Sequence, residues 1–234
     1  MSITVVTGGP DSALDTTITT GGTVSDMVQA IADDIDDTTG EYISQIITAI
    51  LASVRYCERD LYYFNETRDE TFQTVNGQQW YDASDNVEIP RLVRIVAAYC
   101  EQPDGSRTTL SRYTPEEIEI ISDDSASSGE PYGFTYFGQR IRLYPIPDAT
   151  VYTIRLQLGP YRLTQITDTS DTNAWFTEAF DMVKARAKYI LAKDTLKDAV
   201  LAGEALNDYN DQQTMLKAET SRRNGTGFIR ATCF

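Results

Sequence analysis

Residues 129–148 read GEPYGFTYFGQRIRLYPIPD, and this stretch decides how the chain is read. Phe134 and Tyr136, then Ile141 and Leu143, recur with period two, the pattern of a strand with one buried face. Phe137-Gly138-Gln139 separates the two runs, and Gly138 supplies the positive φ that a tight turn needs. Pro145 and Pro147 end the second strand, because proline donates no hydrogen bond to a ladder. A β-hairpin is therefore predicted here.

Short strands are predicted on both sides of it. Upstream, Thr71 to Val75 and Gln78 to Tyr81 flank Asn76-Gly77, a strong short hairpin signal. Further strands are predicted from Leu92 to Tyr99 and from Thr108 to Tyr113. Thr114-Pro115-Glu116-Glu117 opens a short helix, with threonine as cap, proline at the first helical position and acids in the first turn. Downstream, Tyr152, Ile154, Leu156 and Leu158 alternate strictly. The β region runs from 70 to 169.

Helical spacing appears toward both ends. Val24, Met27, Val28, Ile31 and Ile35 share a face of a first helix that Thr23 or Ser25 caps. Asp33, Asp34, Asp36 and Asp37 lie mostly on the other face. Their spacing does not match a calcium loop, so they read as a solvated helix end. A second helix is predicted from Glu41 to Phe64. It carries the stripe Ile43, Ile46, Ile47, Ile50, Leu51, Val54, Cys57 and Leu61, and ends in Tyr56, Tyr62, Tyr63 and Phe64, read as core or domain-junction packing. A long helix begins near Asn173, with Trp175, Phe176, Ala179, Phe180, Val183, Ala187, Ile190 and Leu191 at helical intervals. Lys184, Arg186 and Lys188 make it basic, suited to pairing with the acidic first helix. A last helix covers Leu196 to Thr220.

The expected fold class is α+β: a helical bundle built from both ends of the chain, with an inserted antiparallel β module. The expected division is an N-terminal arm at 1–22, a bundle from 23–69 and 170–220, the β module at 70–169, and a C-terminal tail at 221–234. The arm is rich in Thr, Gly and Ser, and is either a frayed terminus or a segment that orders against a neighbour. The tail holds Arg222, Arg223, Phe228, Ile229, Arg230 and Phe234 and no acid. Arginine and aromatic side chains anchor interfaces, so it reads as a docking arm or, alternatively, as a disordered tail.

Composition excludes several chemistries. The 234 residues carry a formal net charge of −15 and no histidine. A surface of that sign repels nucleic acid. Without histidine, no Ser-His-Asp or Cys-His nucleophile can be assembled, and the commonest zinc ligand is missing. The three cysteines, Cys57, Cys100 and Cys233, are too sparse for a disulfide framework or a metal site. No catalytic residue, metal or cofactor is expected. No signal peptide is evident at the N-terminus, and no apolar run is long enough for a membrane helix.

Several motifs, in order, resemble the adaptor (head-to-tail connector, head-completion) proteins of tailed bacteriophages. They are the aromatic run Arg55-Tyr56-Cys57-Glu58-Arg59-Asp60-Leu61-Tyr62-Tyr63-Phe64-Asn65-Glu66, and the pair Phe72-Gln73-Thr74-Val75 with Gly77-Gln78-Gln79-Trp80-Tyr81. Ile89-Pro90 with Leu92-Val93-Arg94-Ile95 follows. Gly129-Glu130-Pro131, Gly138, Ile141, Leu143-Tyr144-Pro145 and Pro147-Asp148 match the family's hairpin. Thr172-Asn173-Ala174-Trp175-Phe176 matches the opening of its C-terminal helix. The likeness spans Ser25 to Thr220.

The resemblance implies a structural virion protein of the neck or tail region, assembled in the host cytoplasm. It implies a homo-oligomeric ring, a dodecamer, bound below the portal protein and receiving downstream tail or nozzle proteins. DNA would pass through its channel without specific binding, and no membrane is involved. It also implies that the C-terminal segment, with Arg222, Arg223, Phe228, Ile229, Arg230 and Phe234, docks on the portal. A competing expectation is a carbohydrate- or receptor-binding β module of a phage tail, with Trp80, Tyr81, Tyr132 and Tyr136 stacking on sugar. A third is a hydrolase using paired carboxylates such as Glu116 and Glu130, although nothing in the spacing selects that pair.

Overall fold

A computed structural model describes residues 3–5, 16–18, 22–66, 70–122, 127–163 and 165–225. Internal contacts divide the chain into two compact units, Met1–Cys57 with Thr164–Phe234, and Glu58–Leu163.

The first unit begins with a small antiparallel pair, β1 (Ile3–Val5) and β2 (Thr16–Ile18), with Ile3 opposite Ile18. Helix α1 (Val24–Asp34) starts at a reciprocal cap. The Thr23 hydroxyl accepts from the Asp26 backbone N–H, and the Asp26 carboxylate accepts from Thr23 N–H at 3.0 Å. It buries Val24, Met27, Ile31 and Ala32. Helix α2 (Ile43–Cys57) buries Ile46, Ala49, Ile50, Ser53, Val54 and Cys57 along one stripe. The Ser53 hydroxyl is satisfied by donating to Ala49 O at 2.7 Å.

Helix α2 stops at Cys57, seven residues before the predicted end at Phe64. The buried side chain of Asn65 is the reason. Its oxygen accepts from Tyr62 N–H at 2.7 Å and its nitrogen donates to Asp60 O at 2.9 Å, a local alternative to helical hydrogen bonds.

The second unit holds the sheet. Its elements are β3 (Glu70–Gln73), β4 (Trp80–Tyr81), β5 (Ile95–Glu101), β6 (Arg107–Arg112), α3 (Pro115–Ile121), β7 (Gly133–Phe137), β8 (Arg140–Tyr144) and β9 (Thr153–Leu158). The strand order is β3-β9-β5-β6-β7-β8-β4. The expected fold class, a helical bundle with an inserted antiparallel β module, is overturned by this sheet. It has seven strands and is mixed, because β6 and β7 run parallel, with Ser111 opposite Gly133 and Arg112 opposite Phe134. A parallel pair needs a crossover, and α3 supplies it, packing on the sheet rather than in a bundle.

The predicted 71–81 hairpin is also corrected. Asn76-Gly77 does turn the chain, but β3 and β4 lie at opposite edges of the sheet. A short segment joins those edges only because the sheet curls. Where they approach, the Phe72 and Tyr81 rings are 4.8 Å apart and Val75 N–H donates to the Tyr81 hydroxyl at 3.1 Å. The 129–148 hairpin forms as predicted, with Phe134 opposite Leu143 and Tyr136 opposite Ile141. Gly138 and Gln139 both take positive φ, 58° and 62°, as a two-residue hairpin turn requires. The inward face buries Phe72, Tyr81, Ala98, Cys100, Leu110, Phe134, Ile141, Leu143, Ile154 and Leu156 as one core. On the outer face the buried Arg142 guanidinium meets Glu119 of α3, donates to the Ser122 hydroxyl at 3.1 Å, and lies 5.5 Å from the Trp80 ring centre.

The remaining helices return to the first unit. The helix predicted from Asn173 is broken. Helix α4 (Ala174–Thr177) is one turn, capped by Asn173 on Trp175 N–H at 2.9 Å, and α5 (Phe180–Leu191) follows. Trp175 and Phe176 are fully buried. A π-helical turn (Ala192–Leu196) leads to α6 (Ala199–Asn224), which Asp198 caps. Helix α6 buries Ala202, Ala205, Tyr209, Leu216 and Thr220, a stripe at helical spacing, and packs on α5. Among the described residues, no helix is long and apolar enough to cross a membrane.

Candidate assembly surfaces

The C-terminal residues singled out by sequence divide into two groups. Arg222 and Arg223 belong to the last turn of α6, where cations favour the negative end of the helix dipole. The Arg223 guanidinium pairs with Glu219 one turn back, at 3.0 and 2.5 Å. Arg222 is exposed. Gly225 N–H donates to Ser221 O at 2.8 Å and closes the helix. Phe228, Ile229, Arg230 and Phe234 lie outside the described residues, as does most of the 1–22 arm.

A second surface was not legible in the sequence. Arg186 of α5 sits among three tyrosines, its guanidinium carbon 4.0 Å from the ring centre of Tyr56, 5.0 Å from Tyr189 and 5.2 Å from Tyr209. Such contacts are worth about 0.5–2 kcal/mol each, more as water is excluded. The Arg186 Nε is buried and has no hydrogen-bond partner among the described residues. Lys193, one turn beyond Tyr189, places its ammonium 5.7 Å from that ring. Tyr56 is 45% exposed, so the cluster opens to solvent. Arg186, Tyr189 and Lys193 share a helix face at i, i+3 and i+7. That spacing was readable, but the tyrosines at 56 and 209 come from distant sequence.

The acidic residues of α1 have separate fates. Asp34 accepts from Lys188 at 2.9 Å and lies 3.1 Å from Lys184, so the predicted pairing of the basic helix with the acidic one rests on this carboxylate. Burial raises the Asp34 carboxyl, but hydrogen bonds and charge from Lys188 and Lys184 outweigh it and hold it below the ordinary value. Asp37 accepts from the backbone N–H of Tyr42 and of Glu41, at 2.9 and 3.0 Å, and these bonds hold its carboxyl low. Asp33 and Asp36 are exposed and have no ion-pair partner among the described residues. With Val28, Ala32, Asp37, Gly40 and Ile43 they line a cleft of about 440 Å³ at the α1–α2 corner.

In the β unit, the residues considered for catalysis or sugar stacking differ in exposure and in partners. Tyr81 is fully buried in the core, and the half-buried Tyr136 spends its hydroxyl on the carbonyls of Ile89 and Leu92, at 3.1 and 3.2 Å. Of that aromatic set, Trp80 and Tyr132 are exposed. Glu130 accepts from Gln102 at 2.6 Å and Thr108 at 3.0 Å, while Glu116 stands exposed on α3. Cys57 and Cys100 are buried, and burial, with the charge of Glu130, pushes the Cys100 thiol up to about 12. A thiol so held is protonated and unreactive at neutral pH. Among the described residues no group of three or more His, Cys, Asp or Glu is placed to hold a metal ion.

A family model described as SU10 adaptor protein matches residues 22–230. No curated protein matches the chain.

Proposed function

Since the chain belongs to the SU10 adaptor protein family, a phage structural role, we propose that it forms an adaptor ring below the portal. The ring joins the capsid to the tail, takes its place in the virion neck, and continues the channel through which DNA leaves. The observation that carries this reading is the length of the family match, which takes in both units and runs into the C-terminal tail.

The physical chemistry is compatible. A chain of net charge −15 lines a channel without gripping DNA, because like charges repel. The portal-docking residues in this proposal are Arg222, Arg223, Phe228, Ile229, Arg230 and Phe234, whose charge and aromatic content suit an acidic groove on the portal. Tail or nozzle proteins bind the opposite rim, and twelve copies complete the ring.

The test is imaging by negative stain of the purified chain mixed with portal from the same source. A closed ring capping the portal is the expected outcome, and it fixes the symmetry. A chain lacking 221–234 should stay folded by circular dichroism and lose attachment. Full attachment by that truncated chain would remove the tail from the docking role, and a full-length chain that ignores the portal would refute the adaptor reading.

A further inference from the structure

The first unit carries two surfaces of opposite charge at the two ends of α2. At its C-terminal end, Tyr56 packs on Arg186, whose guanidinium has no carboxylate among the described residues to meet it. At its N-terminal end, Asp33, which accepts from Gln29 at 2.7 Å, and Asp36 line the cleft that Ile43 borders and have no ion-pair partner among the described residues. Ile43 and Tyr56 are thirteen residues apart on one helix, about 20 Å at 1.5 Å per residue. The two surfaces cannot neutralise each other within one molecule.

We infer that the Arg186–tyrosine surface is a docking site for a second copy of this chain, which inserts its acidic α1–α2 corner. Charge complementarity selects the occupant. An arginine stacked on tyrosines is held flat and keeps its remaining donors for a carboxylate, which it binds with two parallel hydrogen bonds. The acidic corner offers two such carboxylates. It also offers an apolar wall, Val28 with the 44% exposed Ile43, against which the exposed edge of Tyr56 can rest. Arginine and tyrosine are the residue types that carry most binding energy at interfaces.

The contact joins two different patches, so it is heterologous. Contacts of this kind propagate head to tail and close into a ring when the rotation allows. This deepens the adaptor reading and rests on it for the choice of a second copy as partner. It assigns the subunit contact to particular residues, which ring formation alone does not.

The geometry dictates an experiment with two complementary full-length variants. Arg186→Glu spoils the cationic surface and leaves the acidic corner intact. The double change Asp33→Lys with Asp36→Lys does the reverse. Sedimentation velocity at low salt should show concentration-dependent association of the parent chain. Each variant alone should associate at least about tenfold more weakly, since opposed like charges at a contact are costly. Mixed one to one, the variants regain one parental pair of surfaces, and the reversed charges at 186 of one and at 33 and 36 of the other also attract, so association should be restored toward that of the parent. Because Arg186 is partly buried, Lys193→Glu on the exposed edge of the same surface serves as a second probe, with circular dichroism checking every fold.

A parent chain that stays monomeric, variants that associate as the parent does, or a mixture that stays monomeric would each overturn the inference. Portal capping, scored separately, distinguishes the two readings. Capping that persists while self-association ignores these substitutions leaves the adaptor role standing without this contact. Head-to-tail pairing by a chain that never caps a portal does the opposite.

Discussion

Trp175 shows how far a single residue could be read. Its place on a helical apolar stripe predicts a core side chain, and it has no exposed surface. Trp175→Ala should cost on the order of 3–5 kcal/mol, the range for removing a large buried side chain. Urea denaturation followed by far-ultraviolet circular dichroism would measure it, and an unmoved midpoint would mean the site collapses without penalty. Asp34 was legible only as one of four acids. The structure makes it the one that two lysines share, and this gives it a pH signature. A carboxyl held below its ordinary value near 3.8 binds its proton more weakly in the folded chain than in the unfolded one. The stability it contributes is present above the unfolded value and is lost as pH falls through the lower folded one. Asp34→Asn should therefore lower stability by about 1 kcal/mol at pH 7, as expected of a partly exposed ion pair. The gap between variant and parent should close as pH falls from 7 through the folded value, which lies below 3.8. A gap of equal size at both ends of that range would assign the loss to packing instead of charge. Arg186 was legible only as one basic residue of its helix, since two of its three tyrosine neighbours lie far away in sequence.

Elements were readable where their determinants are local and misread where partners are distant. The 129–148 hairpin has its register, turn and inward face all encoded within twenty residues, and it forms as read. At its turn Gly138 holds φ 58°, a region costly to any residue with a Cβ. Gly138→Ala should destabilise the sheet by about 1–2 kcal/mol, read as a shift in the thermal or urea midpoint. A neutral result would show that the turn relaxes to another type. Asn76-Gly77 carries an equally strong local signal and misled, because a turn fixes the chain's direction and not its partner. Phe72 pairs across to Ile154 on β9, and Tyr81 to Ile141 on β8. Those registers are set by alternating apolar residues 82 and 60 positions downstream, which no local motif announces. Helix ends failed for a similar reason. The stripe from Ile43 continues in sequence to Leu61, but a buried Asn65 beyond it captures the backbone and stops α2 at Cys57.

At the scale of the molecule, the chain leaves one unit after Cys57 and rejoins it at Thr164. Within the second unit, the entering and leaving strands of chain are tied together. Arg162 Nε lies 3.1 Å from the Glu58 carboxylate, Tyr161 N–H donates to Asn65 O at 3.1 Å, and Glu66 bridges Pro160. Among the described residues, its core cluster runs from Phe72 to Leu156. A segment with adjacent ends and a core of its own meets the physical definition of a unit able to fold alone. The fragment 58–163 should therefore fold in isolation. Its circular dichroism should be β-rich, and it should unfold in urea in one cooperative step, with stability on the order of 5–15 kcal/mol. The Arg162–Glu58 contact is half exposed and adds little by itself, so Arg162→Ala in the fragment should move the midpoint only slightly. A fragment that shows no cooperative transition would mean that its core, complete on paper, depends on the helices at the two ends of the chain.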